Sequence, residues 1–170
     1  WTRTIELDPR LVIAWSNVSA VHLKRRDFEA AERAAAKALQ IKADHPLAYA
    51  NRAAARIERG NLDGAIEDAS RAIGLWPEFS LAWSNRAAAR LMKGDLAGAA
   101  ADAERALGLP SPPPEAWTTR SGVRLKRGDV DGAVADATRA LELDPLQAMA
   151  YSNRAGARVR QFDADSALVD

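Results

Sequence analysis

A chain of 170 residues that is 48% apolar has enough material for a substantial buried core, and its formal charge of +1 arises from 24 basic and 23 acidic side chains spread along the length. That balance argues against the clustered positive surface that a nucleic-acid binder or a polybasic membrane segment needs. With no cysteine, disulfides and thiolate metal centres are excluded too, and no apolar run reaches membrane-spanning length.

Taken in chain order, residues 1–11 read as the end of a helix, with Ile5 and Leu7 on its apolar side and Pro9 as its stop. Four full units follow at 12–45, 46–79, 80–113 and 114–147, and a partial unit occupies 148–170. Their marker is an aromatic column, Trp15, Tyr49, Trp83, Trp117 and Tyr151, which recurs every 34 residues without a slip; the whole chain is five such periods. A fixed period of this size signals a solenoid, in which stacked copies of one unit share a continuous core. In the second unit Leu47, Tyr49, Ala53 and Ile57 fall at helical spacing, Gly60 and Asn61 interrupt, and Leu62, Ala65, Ile66, Ala69, Ala72 and Ile73 resume the pattern until Pro77. Two helices of about three turns each, joined by a tight turn, account for this. Gly94-Asp95 and Gly128-Asp129 repeat the interruption: glycine accepts a left-handed conformation, and the acid caps the next helix. The partial unit reads as a first helix followed by the beginning of a second.

Small residues mark where helices touch. Ala31, Ala65, Ala99, Ala133 and Ala167 form one column, and Ala38, Ala72, Ala106 and Ala140 another. Larger side chains there would push neighbouring axes beyond their usual separation of about 8–10 Å. Residues 110–114 are proline-rich yet leave the period unchanged, which predicts a stiff, polyproline-like corner with Pro114 at a helix start.

Trp83, Ala87, Gly94, Ala99, Ala106 and Pro112 in one unit, and Trp117, Ser121, Gly128, Ala133, Ala140 and Pro145 in the next, carry a resemblance to the tetratricopeptide repeat family that extends over the whole chain. Pro112 is displaced by one position, and Ala43 replaces the terminating proline of the first full unit. The resemblance implies an all-α fold, a right-handed α-solenoid of antiparallel helix pairs. First helices would line a concave inner face and second helices the outer one.

The charged columns call for a partner. Arg52, Arg86, Arg120 and Arg154 form one ladder, with Arg56, Arg90, Arg124 and Arg158 one turn further along the same helices; Asp68, Asp102, Asp136 and Asp170 form an acidic column on the second helices. An unpaired charge at a helix interface is costly, so the first ladder is expected to pair with the aspartates in bidentate fashion. The competing reading, an arginine ladder that takes acidic ligands, is less favoured, because opposite charges in matched columns ordinarily satisfy one another.

A second ladder, Asn17, Asn51, Asn85 and Asn153, is interrupted by Thr119. The resemblance places it in the inner groove, with Leu91 and Leu125 further along, and related Asn ladders hold extended peptides through their backbones in the repeat arms of O-linked N-acetylglucosamine transferases. An amide that donates and accepts at once suits that task. The alternative is a helix position copied by repeat duplication with no ligand. The carboxylate clamp of co-chaperones in this family is not expected, since Ser16, Ala50, Leu81 and Glu115 stand where basic groups are needed.

Other signals carry less. Arg127-Gly128-Asp129 lies in the turn that every unit has, and Asn17-Val18-Ser19 falls on a predicted helix. His22 and His45 lack spaced partners for a metal. No nucleophile–base pair, phosphate-cradling loop or paired carboxylates are present, so neither catalysis nor a cofactor is expected. Trp1, Ile5, Leu168 and Val169 continue the second-helix pattern at the two termini, which therefore read as mating surfaces for end-to-end continuation, either in a longer polypeptide or as stacked copies in a filament. The expected role is a non-catalytic scaffold for protein–protein association, with itself or with an extended peptide of another protein. A peptide-binding module and the repeat arm of a larger enzyme or regulatory protein are the alternatives. A soluble, cytoplasmic location follows from the family resemblance, and an extracellular one if the protein forms a fibre.

Overall fold

The computed structural model describes the backbone of residues 11–167 and the side chains of 11–162. Expectations that fall on Trp1, Ile5, Leu168, Val169 and Asp170 lie outside the described residues.

Within them the fold is all-α. Nine helices form: α1 (Val12–Lys24), α2 (Phe28–Ile41), α3 (Pro46–Glu58), α4 (Leu62–Leu75), α5 (Ser80–Lys93), α6 (Leu96–Leu107), α7 (Pro114–Arg127), α8 (Val130–Leu143) and α9 (Ala148–Ala167). Each packs against its neighbours in sequence, and each first helix also touches the first helix of the next unit, so sequential antiparallel pairs stack into a superhelix.

Local chemistry sets the boundaries. Asp27, Asn61, Asp95 and Asp129 accept a hydrogen bond from the backbone N–H three residues on, capping α2, α4, α6 and α8. Gly60, Gly94 and Gly128 turn the chain at φ of +77°, +87° and +83°. In the first unit Arg26 holds the same left-handed position at +59°, a conformation that costs an L-residue about 1–2 kcal/mol. Pro46 and Pro114 start α3 and α7, where a missing N–H is harmless.

The core is built from alanine. Ala31, Ala65, Ala99 and Ala133, together with Ala38, Ala72, Ala106 and Ala140, are fully buried, and Val123 is the largest side chain with almost no exposure. Partly buried large residues flank these contacts: Tyr49, Phe79 and Trp83 around Ala72, Ile73 and Ala82, and Trp117 beside Ala140 and Leu141.

Two segments differ from expectation. The proline-rich corner is not a uniform polyproline stretch: Pro113 is extended (φ −71°, ψ 150°), but Ser111 adopts φ +53° and its carbonyl accepts from Ser80 Oγ at 3.1 Å. Leu109, two residues before it, is buried. At the other end, α9 runs unbroken to Ala167, although the repeat places a turn near Phe162. Phe162 occupies the column of Gly60, Gly94 and Gly128, and a bulky aromatic meets the full steric penalty of a left-handed turn.

Candidate functional site

The arginine and aspartate columns meet. Arg52 Nε and Nη2 donate to the two oxygens of Asp68 at 2.8 and 2.7 Å; Arg86 grips Asp102 at 2.8 and 2.8 Å, and Arg120 grips Asp136 at 2.8 and 2.7 Å. Sequence reasoning did not assign the second arginine. Arg56, Arg90 and Arg124 reach the same carboxylates at 2.8, 2.7 and 3.0 Å, so each aspartate is held by two guanidinium groups. Each first arginine also lies over the aromatic ring three residues before it, at 5.6 Å from Tyr49, 4.8 Å from Trp83 and 5.0 Å from Trp117. Arg154 lies over Tyr151 at 5.4 Å, and its expected partner, Asp170, is outside the described residues.

The aspartates are only 2% exposed. Two charge-assisted partners and a cation–π face are what such burial requires. Hydrogen bonding to Asp68 and Asp136 outweighs burial and raises Arg52 and Arg120 above the ordinary arginine value. For Glu32, burial alone raises the carboxyl, but Arg56 and Arg59 outweigh it and hold the group below its ordinary value. With each aspartate supplied from within the same unit, and Glu32 of the unit before also reached by Arg56, these arginines form a structural cross-brace.

The asparagine ladder bonds to the protein's own backbone. Asn51 and Asn85 are 4% and 7% exposed, and their amide N–H groups donate to the backbone carbonyls of Ser16 and Ala50, both at 2.9 Å. Asn153 does the same to Thr118 at 3.0 Å. Each amide therefore staples one first helix to the first helix before it, at an offset of 35 residues. Thr119, buried in the same column, has no amide for the bond. Asn17 lies on α1, the first described helix, and is half-buried.

Leu91 and Leu125, the apolar residues expected in the groove, point at the following first helix. A Cβ at Gly122 would sit 3.0 Å from Leu91 Cδ2, and one at Gly156 would sit 3.4 Å from Leu125 Cδ2. Together the asparagines and leucines join unit to unit. Ser19 and Ser121 add bonds within units, to the carbonyls of Ala31 and Ala133 at 2.8 and 2.7 Å, a role that sequence reasoning missed. Spacing carries a signal for them, since both stand in the column otherwise filled by Ala53 and Ala87.

On α9, Met149, Tyr151 and Val159 are 63%, 48% and 61% exposed, whereas Trp117 and Leu125, which hold the columns of Tyr151 and Val159 one unit earlier, are half-buried. A shallow hollow of about 470 Å³ is lined by Ala43, Asp44, Tyr49, Ser70, Arg71, Gly74 and Leu75. Among the described residues no helix is long and apolar enough to cross a membrane.

Comparison with known proteins agrees with this architecture. The structure resembles a thermophilic TPR protein of Thermus thermophilus (20% identity, TM-score 0.75, covering 93% of this chain and 87% of that one). It also resembles YrrB, described as a TPR protein with an unusual peptide-binding site (19%, 0.64, 94% and 82%). A chain of the APC/C hetero-tetramer Cut9-Hcn1 matches over 96% of this chain but 33% of its own length (18%, 0.82). At these identities the likeness concerns the fold alone. No curated protein sequence matches. The family model described as Tetratricopeptide repeat matches residues 20–78, 50–115 and 123–170, most of the length, and the chain belongs to the tetratricopeptide repeat family, whose members generally serve as protein–protein interaction modules.

Proposed function

We propose that this protein is a non-catalytic association scaffold that works by prolonging its own superhelix, with the exposed face of α9 as the growing surface. The observation that carries this reading is the contrast between equivalent residues. Trp117 rests on Ala140 and Leu141 of the second helix in its unit, and Leu125 rests on the next first helix, whereas Tyr151 and Val159 present the same chemistry to water. Covering such apolar surface removes it from water, which favours association at about 25 cal/mol per Å² before the cost of ordering the partners. The result is a heterologous, non-closing contact, the geometry of a filament.

Sedimentation over a hundredfold range of concentration tests the reading. A weight-average mass that climbs with concentration, together with its loss in Tyr151→Glu, supports it. A single monomeric species across the whole range overturns it.

A further inference from the structure

The junctions between successive units are not built alike. Across the first, Asn51 donates to the Ser16 carbonyl and Arg56 to Glu32, both at 2.9 Å. Across the second, Asn85 donates to the Ala50 carbonyl at 2.9 Å, Lys93 pairs with Asp63, and Trp83 Nε1 donates to the Pro77 carbonyl at 2.8 Å. Across the fourth, Asn153 donates to the Thr118 carbonyl at 3.0 Å and Gln161 to Asp131 at 2.5 Å.

The third junction, between α5–α6 and α7–α8, lacks the counterpart of each. Thr119 stands in the asparagine column with no amide to give. Ala97 stands in the column of Asp63 and Asp131, and Arg127, in the column of Lys93, bonds to the Leu96 carbonyl at 3.2 Å. That is the one side-chain hydrogen bond among the described residues from α7 or α8 back to α5 or α6. Trp117 Nε1 is buried without a partner; the carbonyl in the column of Pro77 is that of Ser111, at φ +53°, and it accepts from Ser80 of its own unit.

What holds this junction is apolar. Leu91 packs with Ala99, Ala100 and Val123, and a Cβ at Gly122 would sit 3.0 Å from Leu91 Cδ2. Apolar contact is non-directional, so it keeps two surfaces together without fixing their angle, which directional bonds do.

We infer that the superhelix hinges at this third junction, with α1–α6 and α7–α9 moving as two bodies about the proline-rich corner. Each unit of a solenoid contacts only its neighbours, so the junction with the fewest specific contacts yields first. Motion there changes the curvature of the stack without unfolding a helix. The hinge belongs to a single chain and does not depend on the association reading above.

Spin-label distances test it on the whole chain, which has no native cysteine to interfere. Arg33, Glu67, Ala101 and Ala135 occupy one exposed column on the second helices. The pair Arg33→Cys and Ala101→Cys spans the first two junctions, and the pair Glu67→Cys and Ala135→Cys spans the second and third. Dilution into excess unlabelled wild type keeps intermolecular distances out of the signal. The second pair should show an additional populated distance that the first pair lacks. Thr119→Asn, which supplies the missing amide, should cut that population by about 5-fold, the worth of one hydrogen bond. Ala97→Asp, at an exposed position, gives Arg127 a carboxylate and should cut it by about 2-fold, a gain that Arg127→Ala cancels.

Circular dichroism melting verifies that each variant is folded, and should Thr119→Asn fail to fold, Ala97→Asp carries the test alone. A reduction by Thr119→Asn, or one by Ala97→Asp that Arg127→Ala cancels, supports the hinge. Equal distributions for the two label pairs overturn it. So does an additional distance that Thr119→Asn leaves unchanged and that Ala97→Asp either leaves unchanged or reduces equally when Arg127 is replaced.

Discussion

The first unit and the three that follow fill the same space with different chemistry. Where the later units place Arg52, Arg86 or Arg120, an aspartate and a second arginine, the first unit has Val18, Ala34 and His22. Ala34 is 4% exposed, close to the 2% of Asp68, so both solutions seal the same interior. His22 sits 3.4 Å from the capping Asp27, as Arg124 sits 3.4 Å from the capping Asp129. The backbone path is alike in both. The cross-brace is thus a replaceable filling, and the helical period is not; a buried ion network need not be more stabilising than apolar residues of similar volume, but it is intolerant of losing one member.

The largest effect should come from breaking one brace halfway. Asp102→Ala leaves Arg86 and Arg90 without their shared carboxylate and should lower unfolding stability by about 3–5 kcal/mol, read from urea denaturation. The full exchange Arg86→Val, Arg90→His and Asp102→Ala rebuilds the first unit's solution and should stay within about 1 kcal/mol of the wild type. A triple variant as damaged as the single one would show that the two fillings are not interchangeable.

The asparagine column sharpens the same contrast. Asn85→Ala removes a buried bond between helices and leaves the Ala50 carbonyl unsatisfied, which should cost about 1–2 kcal/mol. Asn17→Ala, in a unit with no described helix before it, should leave the stability of the dilute monomer unchanged. Equal losses in the two would erase the distinction between first and later units.

A smaller effect is expected at the turns. Gly128→Ala places a side chain at φ +83° and should destabilise by about 1 kcal/mol, whereas Arg26→Gly relieves the same strain in the first unit and should be neutral or slightly stabilising in thermal melts. The smallest effect is the acid response of His45 at the border between the first two units. Burial, reinforced by Lys42, lowers its pKa below 6.5, so the unfolded chain takes up the proton first. Stability should therefore be level above about pH 6.5 and decline as pH falls below it. The decline attributable to this residue should vanish in His45→Asn, measured as Tm against pH.

Much of this was legible in one dimension. The aromatic column set the period, the alanine columns marked the helix contacts, and Gly-Asp pairs located the turns, because each depends on neighbours a few residues away. The pairing of Arg86 with Asp102 was legible for a related reason: opposite charges at a constant offset of 16 residues repeat from unit to unit. The asparagine column left two readings open, because an amide column looks the same on paper whether it faces a ligand or a neighbouring carbonyl. Only the separation of successive first helices decides between them.

The amino-acid order by itself therefore determined the helix pairs, their stacking and the need for charge compensation, since these follow from periodicity and from the cost of burying an unpaired group. The tertiary structure alone decided that two arginines share each aspartate, that Asn51 and Asn85 hold neighbouring first helices together, that Ser111 turns left-handed, and that α9 continues through Phe162. Each of those outcomes depends on distances between elements far apart in the chain, and such distances are set by packing.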